Sequence, residues 1–337
     1  MLPRAFSHAG TGHNPLKSPY DVRMGKASRT KEPDRRARIA AQREAARRAE
    51  QRKRIYIAGG SILAVIIVVV AFVIIKANTK GTGSENVGSS GPTGTALTAL
   101  VNQTTSVPAA TLDKVGTGGS QVSATPVTIS PAQKALTANG KPEMLYMGAE
   151  YCPFCAAERW SMVVALSRFG TLTGLATTHS ASVDGGGNSE VYPDTSTWTF
   201  LHAKFTSQYL TFESVEMNTN IPDPSTGGYT ALQTPTTVQN ALIDKYDNAP
   251  YSKAQAGSIP FIDFGNKYMV VGASYNPQVL AGKSWSQIAA ALKDSSSPIA
   301  QAVDGTANYI TAAICAITGN QPASACTSTV QTLEKAL

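Results

Sequence analysis

Read for the order of hydrophobic and polar positions, the N-terminal part of the chain is built unlike the rest. Residues 1–29 are polar and carry no apolar period, the composition of a segment that stays disordered. Residues 34–54 are strong helix formers with almost nothing to bury, which predicts a solvated helix. Ile55 to Ile75 follows, 21 residues without a charge. At about 1.5 Å per residue this run matches the roughly 30 Å hydrocarbon core of a bilayer, and one transmembrane helix is predicted there. A cleaved signal peptide fits less well, because its charged region would be far shorter and Ile75-Lys-Ala77 is a poor cleavage site. Residues 76–114 are rich in Gly, Ser and Thr and read as a flexible linker.

The remaining stretch, 115–337, is long enough for one sizeable core and mixes both periods. Strands are predicted over Gln121–Ile129, Met144–Met147 and Leu175–Ser182, the last as a second core strand. Thr195–Ala203 and Gln208–Asn218 are β-rich and read as a strand pair inserted after it. Helices are predicted over Ser130–Leu136, with Ser130 as cap, and over Pro153–Phe169, closed by Gly170. Further helices are expected from near Pro235 to Tyr246, over Ser284–Leu292 and over Ala302–Ile317. Gly265-Asn266 between two β-rich runs reads as a hairpin turn. Asp184-Gly-Gly-Gly-Asn188 is a turn as well, since it lacks the Lys-Ser/Thr of a phosphate-binding loop.

The candidate chemistry sits where the Met144–Met147 strand gives way to a helix. Cys152-Pro153-Phe154-Cys155 occupies that junction, with proline in the first helical turn, where its missing N–H costs nothing. Cys152 therefore lies at the positive end of the helix, a place that favours a thiolate, and Cys155 lies close enough to close a disulfide with it.

Gly148-Ala-Glu-Tyr-Cys-Pro-Phe-Cys155 resembles the active-site segment of the thioredoxin superfamily. The longer run from Lys141 to Trp160 is similar to an uncharacterised group of bacterial membrane-anchored thioredoxin-like proteins. The resemblance covers about Thr125 to Ala291. It implies an α/β, thioredoxin-like fold, here with an inserted β-rich segment and a helical C-terminal extension, preceded by one transmembrane helix. It also implies that Ser258-Ile-Pro260-Phe begins a strand with a cis-proline facing the cysteines. Cys152 and Cys155 would then be the catalytic pair, with Tyr151 and Phe154 as an apolar rim and Ile259 and Pro260 as the edge where an extended peptide docks. Many thioredoxins bury a carboxylate six residues before the first cysteine; Tyr146 stands there in this chain. Glu150 either assists instead or is an exposed charge on the loop.

Charge then sets the topology. Residues 1–54 hold 15 Lys and Arg against 5 Asp and Glu, while the whole chain is only +7. The basic flank places the N-terminus inside and the domain outside the cell membrane. All four cysteines follow the span, which suits an oxidising compartment, and Cys315 and Cys326 are expected to bond to each other as a structural staple. Zinc is disfavoured by the spacing of these two, and His179 and His202 are isolated. No cofactor, metal or nucleic acid is expected. The sequence thus points to a membrane-tethered thiol–disulfide oxidoreductase acting on exported thiol or disulfide proteins, with an unidentified redox partner. The alternative is a non-catalytic thioredoxin-like binding module with structural disulfides.

Overall fold

The computed structural model describes residues 91–337. The basic segment, the span expected at 55–75 and the start of the expected linker lie outside the described residues. Among the described residues no helix is long and apolar enough to cross a membrane.

The rest of the expected linker is folded. Helices α1 (Gly94–Thr105) and α2 (Ala109–Val115) occupy it. Leu97, Leu100, Val101 and Thr104 recur at helical spacing, and Leu100 and Thr104 are buried together with Leu112 and Val115 of α2. The small polar residues between them mask this stripe in a reading by composition.

The strand expected over Gln121–Ile129 shrinks to β1 (Val127–Thr128), preceded by a 3-10 turn over Gly119–Gln121. The helix expected over Ser130–Leu136 does not form. Instead the Leu136 N–H donates to Gly265 O at 3.1 Å, and Leu136 O accepts the Glu143 N–H at 3.1 Å, so the neighbouring strands take up its main-chain groups. Strand β2 (Thr137–Ala138) then turns into β3 (Lys141–Gly148), which leads through the cysteine loop into helix α3 (Pro153–Leu166). The helix ends at Leu166, and Phe169 and Gly170 lie in the turn that follows.

The next segment departs most from expectation. Strands β4 (Thr171–Thr173), β5 (Ala176–His179), β6 (Ser196–Thr199) and β7 (Lys204–Thr206) form two small antiparallel pairs, β4 with β7 and β5 with β6. The second core strand is therefore not Leu175–Ser182. It is β8 (Thr211–Glu216), which runs parallel to β3 from Glu143↔Thr211 to Gly148↔Glu216. Ala176-Thr-Thr-His179 has no large apolar side chain for either face, whereas Phe212 and Val215 of β8 reach opposite cores. The insertion thus lies between α3 and the second core strand, not after that strand.

Strands β9 (Asn218–Asp223) and β10 (Gly228–Ala231) make a third antiparallel pair, followed by helix α4 (Thr237–Tyr246) with a capping box at Thr236 and Gln239. The expected hairpin is present as β11 (Phe261–Phe264) and β12 (Tyr268–Val271), with Gly265 and Asn266 both at positive φ. Helices α5 (Trp285–Ala291), α6 (Pro298–Ile317) and α7 (Ser328–Glu334) complete the chain.

The result is a mixed α/β domain around one sheet with spatial order β1-β12-β11-β3-β8, β2 pairing with the start of β3; only β3 and β8 are parallel. Alternation along β3 divides the core. Met144 and Tyr146 face a large cluster with α3, α5 and α6, while Leu145 and Met147 face a smaller one with Ile243 and Tyr246 of α4. In α3 every residue except Phe154 is buried, as expected of a helix covered on all sides. Helix α6 approaches the 3-10 turn near Gly118 through Gly305, where an added Cβ would stand 2.6 Å from Gly118 Cα.

Two predictions come from this packing. Cys315 and Cys326 are bonded, with Cα atoms 5.7 Å apart, and tie α6 to the turn before α7. For a loop this short, the double variant Cys315→Ala/Cys326→Ala is expected to lose about 2–3 kcal/mol of stability in denaturant titrations, with Cys152 reactivity unchanged. The second concerns Asp304 on α6, which is fully buried with neither carboxylate oxygen hydrogen-bonded. Burial raises its pKa from 3.8 to about 8, and burial likewise raises Glu158 and Asp263 to about 7. A carboxyl raised in the folded state holds its proton more tightly there, so stability is highest at low pH and falls as pH rises toward 8. Asp304→Asn should flatten that fall by on the order of 1 kcal/mol per pH unit, read from melting curves across pH 5 to 8.

Candidate active site around Cys152 and Cys155

The parallel β3–β8 pair and the helix that starts between them fix the position of the cysteine loop. Cys152 is the residue before the first turn of α3, and its Sγ accepts the main-chain N–H of Cys155 at 3.2 Å. Its carbonyl accepts the N–H of Ala156 at 2.9 Å, so side chain and main chain together cap the helix. Both cysteines are free thiols; Cys152 is 4% exposed and Cys155 is fully enclosed.

Their proton affinities diverge. Burial works against ionisation of Cys152, yet its hydrogen bonds from the Cys155 thiol and N–H, the Arg159 charge and the Phe154 N–H bring it below the ordinary thiol value. Burial pushes Cys155 well above that value, and its bond to Cys152 and the charge there push the same way. The pair thus has one sulfur suited to be a thiolate and one suited to keep its proton.

Across from the helix start lies the segment entering β11. The Cys152 thiol faces Ile259 O at 3.8 Å, and the Ile259–Pro260 bond is cis. Pro260 O accepts the Gly272 N–H at 2.8 Å, which anchors this segment to the end of β12. The structure therefore brings Cys152, Cys155, Ile259 and Pro260 together. Phe154, 40% exposed, sits on the rim and meets Tyr192 edge-on with ring centres 6.1 Å apart. Tyr151 lies flat against Tyr229 at 4.0 Å. A groove of about 420 Å³ beside Ile259 is lined also by Phe154, Tyr192, Gly272, Tyr275 and Pro277.

Behind the cysteines is an ion pair that no local sequence pattern announces. Arg159, one turn beyond Cys155, and Glu216, at the end of β8, are both fully buried and bond twice, Nε to Oε1 at 2.9 Å and Nη2 to Oε2 at 2.6 Å. Arg159 Nη2 also donates to Ala149 O at 2.7 Å, and Glu216 Oε1 accepts the Phe200 N–H at 3.2 Å. Ala149 O accepts the Cys152 N–H at 3.3 Å as well, so one carbonyl joins the guanidinium to the cysteine loop. Tyr146 is buried with no hydrogen-bond partner for its hydroxyl. An added Cβ on Gly148 would lie 2.1 Å from that hydroxyl and 3.1 Å from Cys155 Sγ, which is why only glycine fits there.

Glu150 is not the exposed loop charge that the simpler reading expects. It is buried, and Thr199 Oγ1 donates to its Oε1 at 2.6 Å. His179 stands 3.5 Å from Asp194, and among the described residues no group of three or more His, Cys, Asp or Glu is placed to hold a metal. The neighbouring Glu158 accepts both the N–H and the hydroxyl of Ser274, at 2.9 and 3.0 Å, and so ties α3 to the loop beyond β12.

Residues 125–316, more than half of the chain, match a family model described as a domain of unknown function. The chain belongs to the DUF929 family. No curated protein and no solved structure matches it. The DUF929 match contains both site cysteines, the Arg159–Glu216 pair and Pro260. Helices α1 and α2 precede it, and Cys326 and α7 follow it, so the staple reaches from the DUF929 region into the C-terminal extension.

The Arg159 charge is expected to hold down the Cys152 pKa. In Arg159→Met/Glu216→Gln, which leaves no unpaired charge inside, the pH midpoint of Cys152 alkylation should move up toward the roughly 8.5 of a free thiol. An unmoved midpoint, followed by mass spectrometry at Cys152, would mean that the helix start alone sets it.

Proposed function

We propose that this DUF929 chain is a thiol–disulfide oxidoreductase of thioredoxin-like fold, tethered by residues 55–75 and exchanging disulfides with exported proteins. The observation that carries the reading is the unequal pair of free thiols, one capping a helix beside Ile259 O and the other enclosed one turn further on. Support for the fold comes from the order β8-β3-β11-β12, with a parallel first pair joined through α3 and an antiparallel hairpin entered at Pro260. Support for the tether comes from the uncharged run and its basic flank.

In the exchange, the Cys152 thiolate attacks one sulfur of a partner's disulfide, and that S–S bond breaks with its electron pair leaving on the other partner sulfur. Cys155 then gives up its proton and attacks Cys152 Sγ. The partner leaves as a dithiol and the domain keeps a Cys152–Cys155 disulfide, two electrons having passed to the partner. The reverse sequence oxidises a partner dithiol. Ile259 and Pro260 form the edge beside the sulfur, and Tyr151 and Phe154 the rim. The alternative, a binding module with structural disulfides, is served by Cys315–Cys326; the divergent proton affinities of Cys152 and Cys155 suit exchange instead.

The test is trapping in cells. Cys155→Ser should accumulate mixed disulfides between Cys152 and exported proteins, resolved by non-reducing gels and mass spectrometry, whereas Cys152→Ser should accumulate none. Equal trapping by both variants, or by neither, would overturn the assignment.

A further inference from the structure

The segment inserted between α3 and β8, together with the β9–β10 pair, builds a surface around Cys152 for which the exchange reading alone gives no reason. Among the described residues, six large hydrophobic side chains are exposed, and three of them, Phe154, Val183 and Val191, lie in the first turn of α3 and in the β5–β6 connection that packs on it. Contacts of neighbouring groups bring the segments that carry them to the cysteine loop. Tyr229 stacks on Tyr151 next to Cys152, and its hydroxyl bonds Val183 O and Glu190. Tyr192, the neighbour of Val191, meets Phe154. The Tyr151 and Glu150 main chains are bonded to Ala181 and Asn218 at 2.9 Å each, so the inserted segment and the cysteine loop form one continuous face.

The charge of this face has one sign. Between Arg168 and Lys245 the sole Lys or Arg in the sequence is Lys204, whereas Asp184, Glu190 and Asp194 lie in the β5–β6 connection, Asp194 facing His179 at 3.5 Å, and Asp223 ends β9. Their carboxylates are held by Asn188, Tyr229, Ser182 and Ser225, and none is neutralised by a Lys or Arg. Arg159 is enclosed and paired with Glu216. Lys253 lies outside this segment, on the loop before Ile259. On this side a small anionic thiol such as glutathione finds no Lys or Arg for its carboxylates, and it has too little apolar surface of its own to cover these side chains.

Resting on the exchange reading above, we infer that this face receives an extended polypeptide segment whose cysteine is flanked by apolar and basic residues. The apolar flank covers Val183, Val191 and the aromatic rim, and the basic residues meet the acidic side chains. Continuity with the Cys152 sulfur fixes where the partner's cysteine lies.

The test uses the full chain in detergent and four disulfide probes: a cysteine peptide with Leu and Lys flanks, the same peptide with Glu for Lys, the same with Ser for Leu, and hydroxyethyl disulfide as a small neutral reagent. The Leu/Lys peptide should exceed the Leu/Glu peptide by about tenfold in kcat/KM at low salt, a gap that closes at high salt. It should exceed the Ser/Lys peptide at any salt. Val183→Ser/Val191→Ser should narrow the ratio of the Leu/Lys peptide to hydroxyethyl disulfide by about tenfold. Equal rates for all peptides, with hydroxyethyl disulfide still reacting at Cys152, would overturn the surface and leave the exchange reading standing. No reaction with any probe, hydroxyethyl disulfide included, would overturn the exchange reading and the surface with it.

Discussion

The buried pair of Arg159 and Glu216 is the constraint around which the rest of this domain is arranged. It joins the second turn of α3 to the last residue of β8, and through Ala149 O it reaches the loop that carries Cys152. Burying two charges is costly, and such a pair adds little net stability compared with apolar residues of the same size, although losing one partner alone costs about 3–5 kcal/mol. Its value lies in position. A guanidinium with two bonds to one carboxylate and a third to a carbonyl cannot slide, so the helix start, the end of β8 and the cysteine loop keep one relative placement. Glu216 in turn is held by the Phe200 N–H, and its own N–H donates to Gln233 Oε1 at 2.7 Å, which brings the inserted segment and the stretch before α4 into the same network.

This placement creates the asymmetry between the two sulfurs. Cys152 has the helix N–H groups, a carbonyl opposite and a narrow opening to solvent; Cys155 has the interior, the Tyr146 ring system and no opening. Burial raises both sulfurs and the positive charge behind them favours either thiolate, but the hydrogen bond between them lowers Cys152, which accepts it, and raises Cys155, which donates it. In the exchange proposed here the order of attack would follow from that difference, because only the sulfur that meets the partner is also the one that ionises readily. The aromatic contacts of Tyr151 with Tyr229 of β10 and of Phe154 with Tyr192 of the inserted segment then frame the opening.

How much of this was legible in the sequence depends on how local each feature is. The strand–cysteine–helix junction, the Gly265-Asn266 hairpin and the helices expected from near Pro235 and from Ser284 are written in consecutive residues, and each forms within a residue or two of where the pattern places it. The Cys315–Cys326 bond was legible for the same reason, from two cysteines around a turn. Helix α1 was hidden because Gly, Thr and Asn dominate its composition, while its burial rests on Leu100 and Thr104 with Leu97 and Val101 packed beside them. Residues 130–136 carry helix signals at Ser130 and Pro131, but Leu136 has better partners in Gly265 and Glu143 than a short isolated helix could give it. The exchange of β5 for β8 as the second core strand turned on which β-rich run has apolar side chains for both faces, a condition that period alone does not test.

The Arg159–Glu216 pair marks where sequence reading stops. The two residues are 57 positions apart, on a helix and a strand that meet only once the chain has folded, and each alone reads as an ordinary surface charge. One signal was available. Arg159 and Glu158 sit side by side in a helix whose other positions, from Cys155 to Leu166, are Ala, Trp, Ser, Met, Val and Leu, a composition with no polar face to hold them. A charge on a helix that is apolar all round must find a partner inside, and charged residues are almost never fully buried unless paired. For Arg159 the partner is a carboxylate at the end of the parallel strand; for Glu158 it is the Ser274 main chain and hydroxyl beyond β12. Two adjacent charges thus pin the same helix to β8 and to the loop beyond β12, on either side of the segment where Ile259 approaches Cys152.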